Sequence, residues 1–148
     1  MRPSELLRET EHFLHAHIPL TRAMEVHVES FDEDALTLTA PLAVNHNHLG
    51  TAFGGSLAAL AMLAGYSLLW LELDDREAHI VISESQLKFL RPVTGTIRAV
   101  CRRPDSASLM SFKEQLAEKG KARIQLETTI AAGGEIAVAF TGTYVAKR

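Results

Sequence analysis

Between Gly54 and Leu71 the chain reads GGSLAALAMLAGYSLLWL, an Ala/Leu/Met-rich run with strong helix propensity and no Asp, Glu, Lys or Arg. A helix apolar nearly all round cannot lie on a surface with one face in water, so the rest of the chain must enclose it. The stretch from Leu57 to Leu71 falls short of the roughly 20 residues that cross a bilayer. It follows a glycine pair and leads into Glu72, Asp74 and Asp75. The expectation is therefore a buried helix of a soluble fold, with no membrane partner. The N-terminus, MRPSELLRETEHFLHAHIPL, mixes Glu, His and Arg through its apolar positions and has no small-residue cleavage site, which argues against a secretory signal.

The flanking segments supply a sheet. Residues 4 to 16 carry Leu6, Leu7, Phe13 and Leu14 at helical spacing, with Ser4 as N-cap and Pro19 closing the segment. From Met24 to Ser30 and from Ala35 to Pro41 the period becomes two, with Asp32-Glu33-Asp34 between them as a turn, which reads as a hairpin. Residues 42 to 53 form a longer loop before the apolar helix. Strand-like segments follow at 78 to 90, 96 to 103, 121 to 132 and 135 to 146, with a short helix at 107 to 118. Gly133-Gly134 joins the last two strands as a two-residue hairpin turn. The order helix, two strands, long buried helix, four strands is an α+β pattern with an antiparallel sheet. Six strands cover an all-round apolar helix only if they curve about it and something seals the open side. A second copy of the chain is the obvious seal.

Composition narrows the function classes. The 148 residues hold 15 Lys+Arg against 18 Asp+Glu, a net charge of −3, with 47% hydrophobic and 22% charged residues. This is the profile of one ordinary globular domain, residues 1–148, able to build a core without metals or disulfides. It is too acidic to suggest a nucleic-acid binder. Cys101 is the only cysteine, so no internal disulfide forms, consistent with a cytoplasmic location. The seven histidines show no HExxH or Cys/His ligand spacing, so no metal is expected.

The most informative run is NHNHLGTAFGGSL, Asn45 to Leu57. Gly50, Gly55 and Ser56 have the spacing of a phosphate-binding loop, but the lysine is missing and a polar loop, not a buried strand, precedes it. What survives is a glycine pair, Gly54-Gly55, opening a helix. Amides at such an end are unpaired and lie at the positive pole of the helix dipole, where they can hold an anion or polarise a carbonyl. Taken alone, the pair equally suits close packing of helix on sheet.

The segment Pro41 to Leu69, PLAVNHNHLGTAFGGSLAALAMLAGYSLL, and the strand end Leu87-Lys88-Phe89-Leu90-Arg91-Pro92-Val93 resemble the hotdog-fold thioesterases. Within them the chain is most similar to the family typified by the C-terminal domain of bacterial YiiD proteins. The resemblance extends over nearly the whole chain and implies a hotdog fold, a long central helix wrapped by a curved antiparallel sheet. It also implies sheets paired edge to edge in a homodimer or homotetramer, with sites between chains. The activity implied is hydrolysis of acyl thioesters of coenzyme A or acyl carrier protein, with coenzyme A entering as part of the substrate and no separate cofactor. YiiD-type proteins can carry an acetyltransferase domain, which for this chain would have to be a separate polypeptide.

In the larger acyl-CoA branch the pattern is Asn, Gly, His-Gly-Gly, then a helix carboxylate seven residues on. Residue by residue, the asparagine falls on Asn47, the first glycine on Gly50 and the oxyanion-type glycine on Gly54. The histidine falls on Phe53 and the carboxylate on Met62, so both side chains are lost here. By resemblance, Gly54 or Gly55 would hold the thioester oxygen and Asn47 would orient water. The replacement base is sought in Glu84, in mid-strand, where the plainer reading is a solvated face opposite Val81, Leu87 and Phe89. A strand bulge could change that face. Tyr66, one turn beyond Met62, could present a hydroxyl to the same pocket or be an ordinary buried tyrosine. Arg91, with other scattered bases, could meet coenzyme A phosphates, although such bases usually form a solvated surface. Cys101 reads as an apolar filler. The alternative to a hydrolase is a non-catalytic acyl-thioester binding module that keeps the pocket and has lost the base. A dehydratase of the same fold ranks last, for want of its His/Glu pair.

Overall fold

The computed structural model describes residues 3–148. Its elements are α1 (Pro3–His17), α2 (Pro19–Ala23), β1 (His27–Phe31), β2 (Ala35–Ala40), a 3-10 turn (Leu42–Val44), α3 (Gly54–Leu73), β3 (His79–Phe89), β4 (Ile97–Arg102), α4 (Ser106–Lys119), β5 (Lys121–Ala132) and β6 (Glu135–Lys147). Most lie within two residues of the expected segments. The exceptions are local. Ser4 is inside α1 and does not cap it, and Pro19 opens a second short helix where its fixed φ and missing N–H cost nothing. The segment from Met24 joins the sheet only at His27, after Glu25 takes a left-handed φ of 55°.

All six strands form one antiparallel sheet in the order β1-β2-β4-β5-β6-β3. Gly133 and Gly134, with φ of 60° and 80°, make the β5–β6 turn in the conformation that two-residue hairpins require. β4 and β5 pair only from Ala99 to Cys101, and beyond that they part. α4 lies against β5 there, burying Leu109, Phe112 and Leu116.

The concave face of the sheet holds α3, which touches β2, β3, β4, β5 and β6. Leu57, Leu60, Ala61, Leu63, Ala64, Gly65, Ser67, Leu68 and Leu69 are buried there. Closest approach occurs at Gly65, over which the ring of Tyr144 from β6 lies, its hydroxyl donating to the Met62 carbonyl at 2.7 Å. α3 is long and apolar enough to cross a membrane by length and composition, but half of that stretch is buried in the fold. The C-terminal end of α3 is tied down twice. Trp70 stacks on Phe13 of α1 at 4.0 Å, and Glu72, nearly buried, contacts Arg103 and Lys113.

The remaining face of α3 is half-exposed along Ala59, Met62 and Tyr66, a stripe one helix turn apart at each step. The enclosure expected of an all-round apolar helix is thus incomplete within one chain.

Candidate active site at the start of α3

α3 begins without a side-chain cap. Phe53 occupies the N-cap position in an extended conformation, its own N–H donating to the Asn45 carbonyl, and the first amide inside the helix ladder is that of Leu57. Gly54, Gly55 and Ser56 therefore present free N–H groups at the positive end of a 20-residue helix. A Cβ on Gly54 would lie 3.8 Å from Phe89 Cε1, in ordinary contact, whereas one on Gly55 would collide with the Phe53 ring. Phe53, Phe89 and Leu90 are each more than half exposed. Phe89 and Leu90 bound an open depression with Ala52, Gly54, Leu57, Arg91 and Pro92. Three polar donors ringed by apolar side chains suit a ligand that combines a carbonyl with an apolar body.

The loop that delivers these amides is built by two asparagines with different tasks. Asn47 folds the loop on itself: its Oδ1 accepts from Leu49 N at 2.8 Å and Thr51 N at 3.2 Å, and its Nδ2 donates to Thr51 Oγ1 at 2.9 Å. Gly50, with φ of 80°, completes that turn. Asn47 is thus occupied in shaping the loop. Asn45, which sequence reasoning passed over, is buried, donating to Met24 O at 2.9 Å and Pro41 O at 2.8 Å. Two asparagines two residues apart in one polar run carry no sequence signal that separates them.

Further along α3 an apolar groove of about 350 Å³ runs between the helix and β3, lined by Ile18, Ala59, Met62, Tyr66, Ile82 and Tyr144, among others. Tyr66 is half-buried on its wall, and burial pushes its hydroxyl pKa up, so it stays protonated. α3 and β3 run in opposite senses, with Gly54 beside Phe89 at one end and Tyr66 beside Ile80 to Ile82 at the other. The groove and the free amides thus share one side of the helix.

Glu84 lies elsewhere. Ile82 pairs with Tyr144 and Glu84 with Thr143, leaving Ser83 as an extra residue in β3. Residues directly opposite in a ladder share a face. Tyr144 points to α3, so Ile82 does too, while the bulge sends Glu84 to the convex face. Glu84 there shares a polar depression with Gln86, Gln125, Thr141 and Thr143. Leu87 and Phe89 are on the opposite face, as expected. Val81, expected opposite Glu84, is on its side, because the bulge falls between them. Arg91 is beside the site but contacts Glu135 in an exposed ion pair, so any phosphate would compete for it. Cys101 is buried, and desolvation pushes its thiol up to about 11, which leaves it unreactive at neutral pH. Among the described residues no group of three His, Cys, Asp or Glu side chains could hold a metal.

Comparison with known proteins agrees with this architecture. A family profile described as "Putative thioesterase (yiiD_Cterm)" matches residues 7–148. A Chlorobaculum tepidum protein, OLEI01261, whose function is unknown, superposes with a TM-score of 0.93 at 34% identity, over 99% of this chain and 96% of that one. A Shewanella oneidensis protein described as a "putative thioesterase" superposes with a TM-score of 0.85 at 29% identity, over 98% and 99% of the two chains. Pseudomonas aeruginosa PA5026, described as a "probable thioesterase", gives 0.82 at 27% identity over 99% and 96%.

Proposed function

Because the chain belongs to the YiiD C-terminal thioesterase family and has the hotdog fold, we propose that it hydrolyses acyl thioesters of coenzyme A or acyl carrier protein. The observation that carries this reading is the uncapped start of α3. A thioester carbonyl set against the free amides of Gly54 and Gly55 would gain stabilisation as its oxygen becomes an anion during attack by water. The acyl chain would follow the stripe of α3 into the groove at Met62 and Tyr66, whose lining is almost wholly apolar. Both ends of such a site are open in one chain, so a second copy laid over the stripe would be what keeps bulk water from the acyl chain.

The protein acts in this reading as a homodimer in the cytoplasm. β3 is an edge strand 11 residues long, and the half-exposed stripe of α3 faces the same edge. A long, uncovered edge beside apolar surface is a template for pairing with a second copy. The other edge, β1, is guarded by α1, whose Glu11 accepts the Val28 N–H at 2.9 Å.

One observation favours the binding-module alternative. Among the described residues, neither the depression at Gly54 nor the groove at Tyr66 is lined by Asp, Glu or His that could activate water. Turnover of a panel of acyl-CoA esters of graded chain length separates the two. Hydrolysis of any ester well above the uncatalysed rate supports the hydrolase. Saturable acyl-CoA binding without turnover establishes the module, and neither binding nor turnover of any acyl thioester refutes both.

A further inference from the structure

Glu84 and Lys88 are the charged side chains of the regular part of β3, and the alternation of that strand gives them a common task. Leu90 donates its N–H to Ala137 of β6. Backbone groups alternate along a strand, so Glu84, Gln86 and Lys88 turn theirs towards β6 and Ser85, Leu87 and Phe89 turn theirs to the free edge. The same alternation puts the side chains of Glu84, Gln86 and Lys88 on the convex face and those of Ser85, Leu87 and Phe89 on the concave one.

A second copy pairing antiparallel on this edge must set outward backbone groups against outward ones, so the two-fold axis passes through a residue and not between two. An axis at 84 would face two glutamates directly, and one at 88 two lysines; like charges opposite each other are unfavourable. Axes at 85 or 87 leave both charges without an opposite partner. Only an axis at Gln86 sets each Glu84 opposite a Lys88 of the other copy, twice per dimer and on one face.

We propose that Glu84 and Lys88 lock the register of a two-fold β3 pairing centred on Gln86. In this register Ser85 faces the partner's Leu87 and Glu84 the partner's Lys88, so the regular pairing runs from Glu84 to Lys88, beyond the bulge, and Phe89 comes opposite the partner's Ser83, the bulge residue. The consequence reaches the site. Phe89 lies beside Gly54, so the free amides of one copy come level with the strand segment that floors the partner's groove, next to the partner's Ile82. The site is then completed by the partner's groove wall, which includes the partner's Tyr66. Glu84 acts here as an interface residue instead of a base. The inference rests on the dimer reading above but not on hydrolysis.

Cross-linking reads the register directly. Gln86 would meet the partner's Gln86 as a pair whose backbones do not hydrogen-bond, with Cα atoms about 4.5 Å apart, within disulfide range. Gln86→Cys should therefore oxidise to a covalent dimer on a non-reducing gel, with the buried Cys101 as a silent background. Ser85→Cys and Leu87→Cys should stay uncoupled, each being diagonal to its own copy at about 7–8 Å. In sedimentation equilibrium, Glu84→Lys or Lys88→Glu should weaken the dimer roughly tenfold, and the double exchange should restore it. Cross-linking at 85 or 87 in place of 86, no cross-link in a protein that sediments as a dimer, a monomeric wild type, or single reversals without effect would each overturn the proposal. A dimer in this register that turns over no thioester would refute hydrolysis alone.

Discussion

Gly65 opposes two effects of similar size, and Gly65→Ala decides between them. In a helix interior alanine is favoured over glycine by about 1 kcal/mol, so local propensity alone calls for a more stable protein. The tertiary structure calls for the reverse. A Cβ at 65 would lie 2.7 Å from Tyr144 Cε1 and closer still to Cζ and the hydroxyl oxygen. Carbon atoms rest about 3.5–4.0 Å apart, so the ring would have to withdraw by about 1 Å or more. Its retreat is restricted: Tyr144 is 1% exposed and closely packed, and only the groove it lines between α3 and β3 offers space. Overpacking of this kind costs about 1–3 kcal/mol, and loosening the Tyr144 bond to Met62 O adds about 1. After the propensity gain the net loss is about 1–3 kcal/mol. At about 2–4 °C per kcal/mol for a chain of this size, Tm should fall by roughly 2–12 °C in differential scanning calorimetry. Tyr144→Phe in the Gly65→Ala background removes the hydroxyl from the clash, so the double variant should lose less than the sum of the singles. A Tm for Gly65→Ala at or above that of the wild type would refute the reasoning, because it would mean the sheet and helix are free to move apart.

Gly54→Val should fold, since a Cβ there meets only the Phe89 ring at 3.8 Å, but should lower kcat/KM on the best ester by at least about tenfold by crowding the free amides; a folded, fully active variant would place the carbonyl elsewhere. Met62→Asp puts a carboxylate on the groove wall, and a rise in hydrolysis rate, with thermal unfolding followed alongside, is expected if the amides and groove already hold the substrate correctly. The Cys101 thiol keeps its proton to about 11 in the folded chain and loses it near its ordinary value of about 9 when unfolded, so the folded state binds more protons in that window. Stability should therefore fall as pH rises from about 9 to 11, by about 3 kcal/mol at most, with a shallower fall in Cys101→Ala; alkylation of native protein at pH 8 at the rate of a free thiol would contradict this. Glu72→Ala removes the shared partner of Arg103 and Lys113 and should cost about 2 kcal/mol, read from urea midpoints, the partial exposure of the two cations keeping it below the figure for a fully buried pair.

The helix and the strands that wrap it are legible in the sequence, because they follow from local periods. The absence of charge from Gly54 to Leu71 requires enclosure whatever the neighbours are, and alternation with a Gly-Gly turn makes β5 and β6 a hairpin. The glycine pair at the start of α3 was legible for the same reason, since free amides belong to any helix start. Which side chains share a face is settled by long-range packing instead. A single extra residue at Ser83 shifts the pleat by one and carries Glu84 away from α3, and no alternation count reveals where a bulge falls. The division of labour between Asn45 and Asn47 was likewise hidden, because it depends on the Met24 carbonyl, 21 residues away from Asn45, and on a turn closed by Thr51. Helix and strand periods are properties of a few neighbouring residues. The face a carboxylate occupies and the partner an amide finds are set by contacts between segments distant in the chain, and those exist only once the sheet has closed around α3.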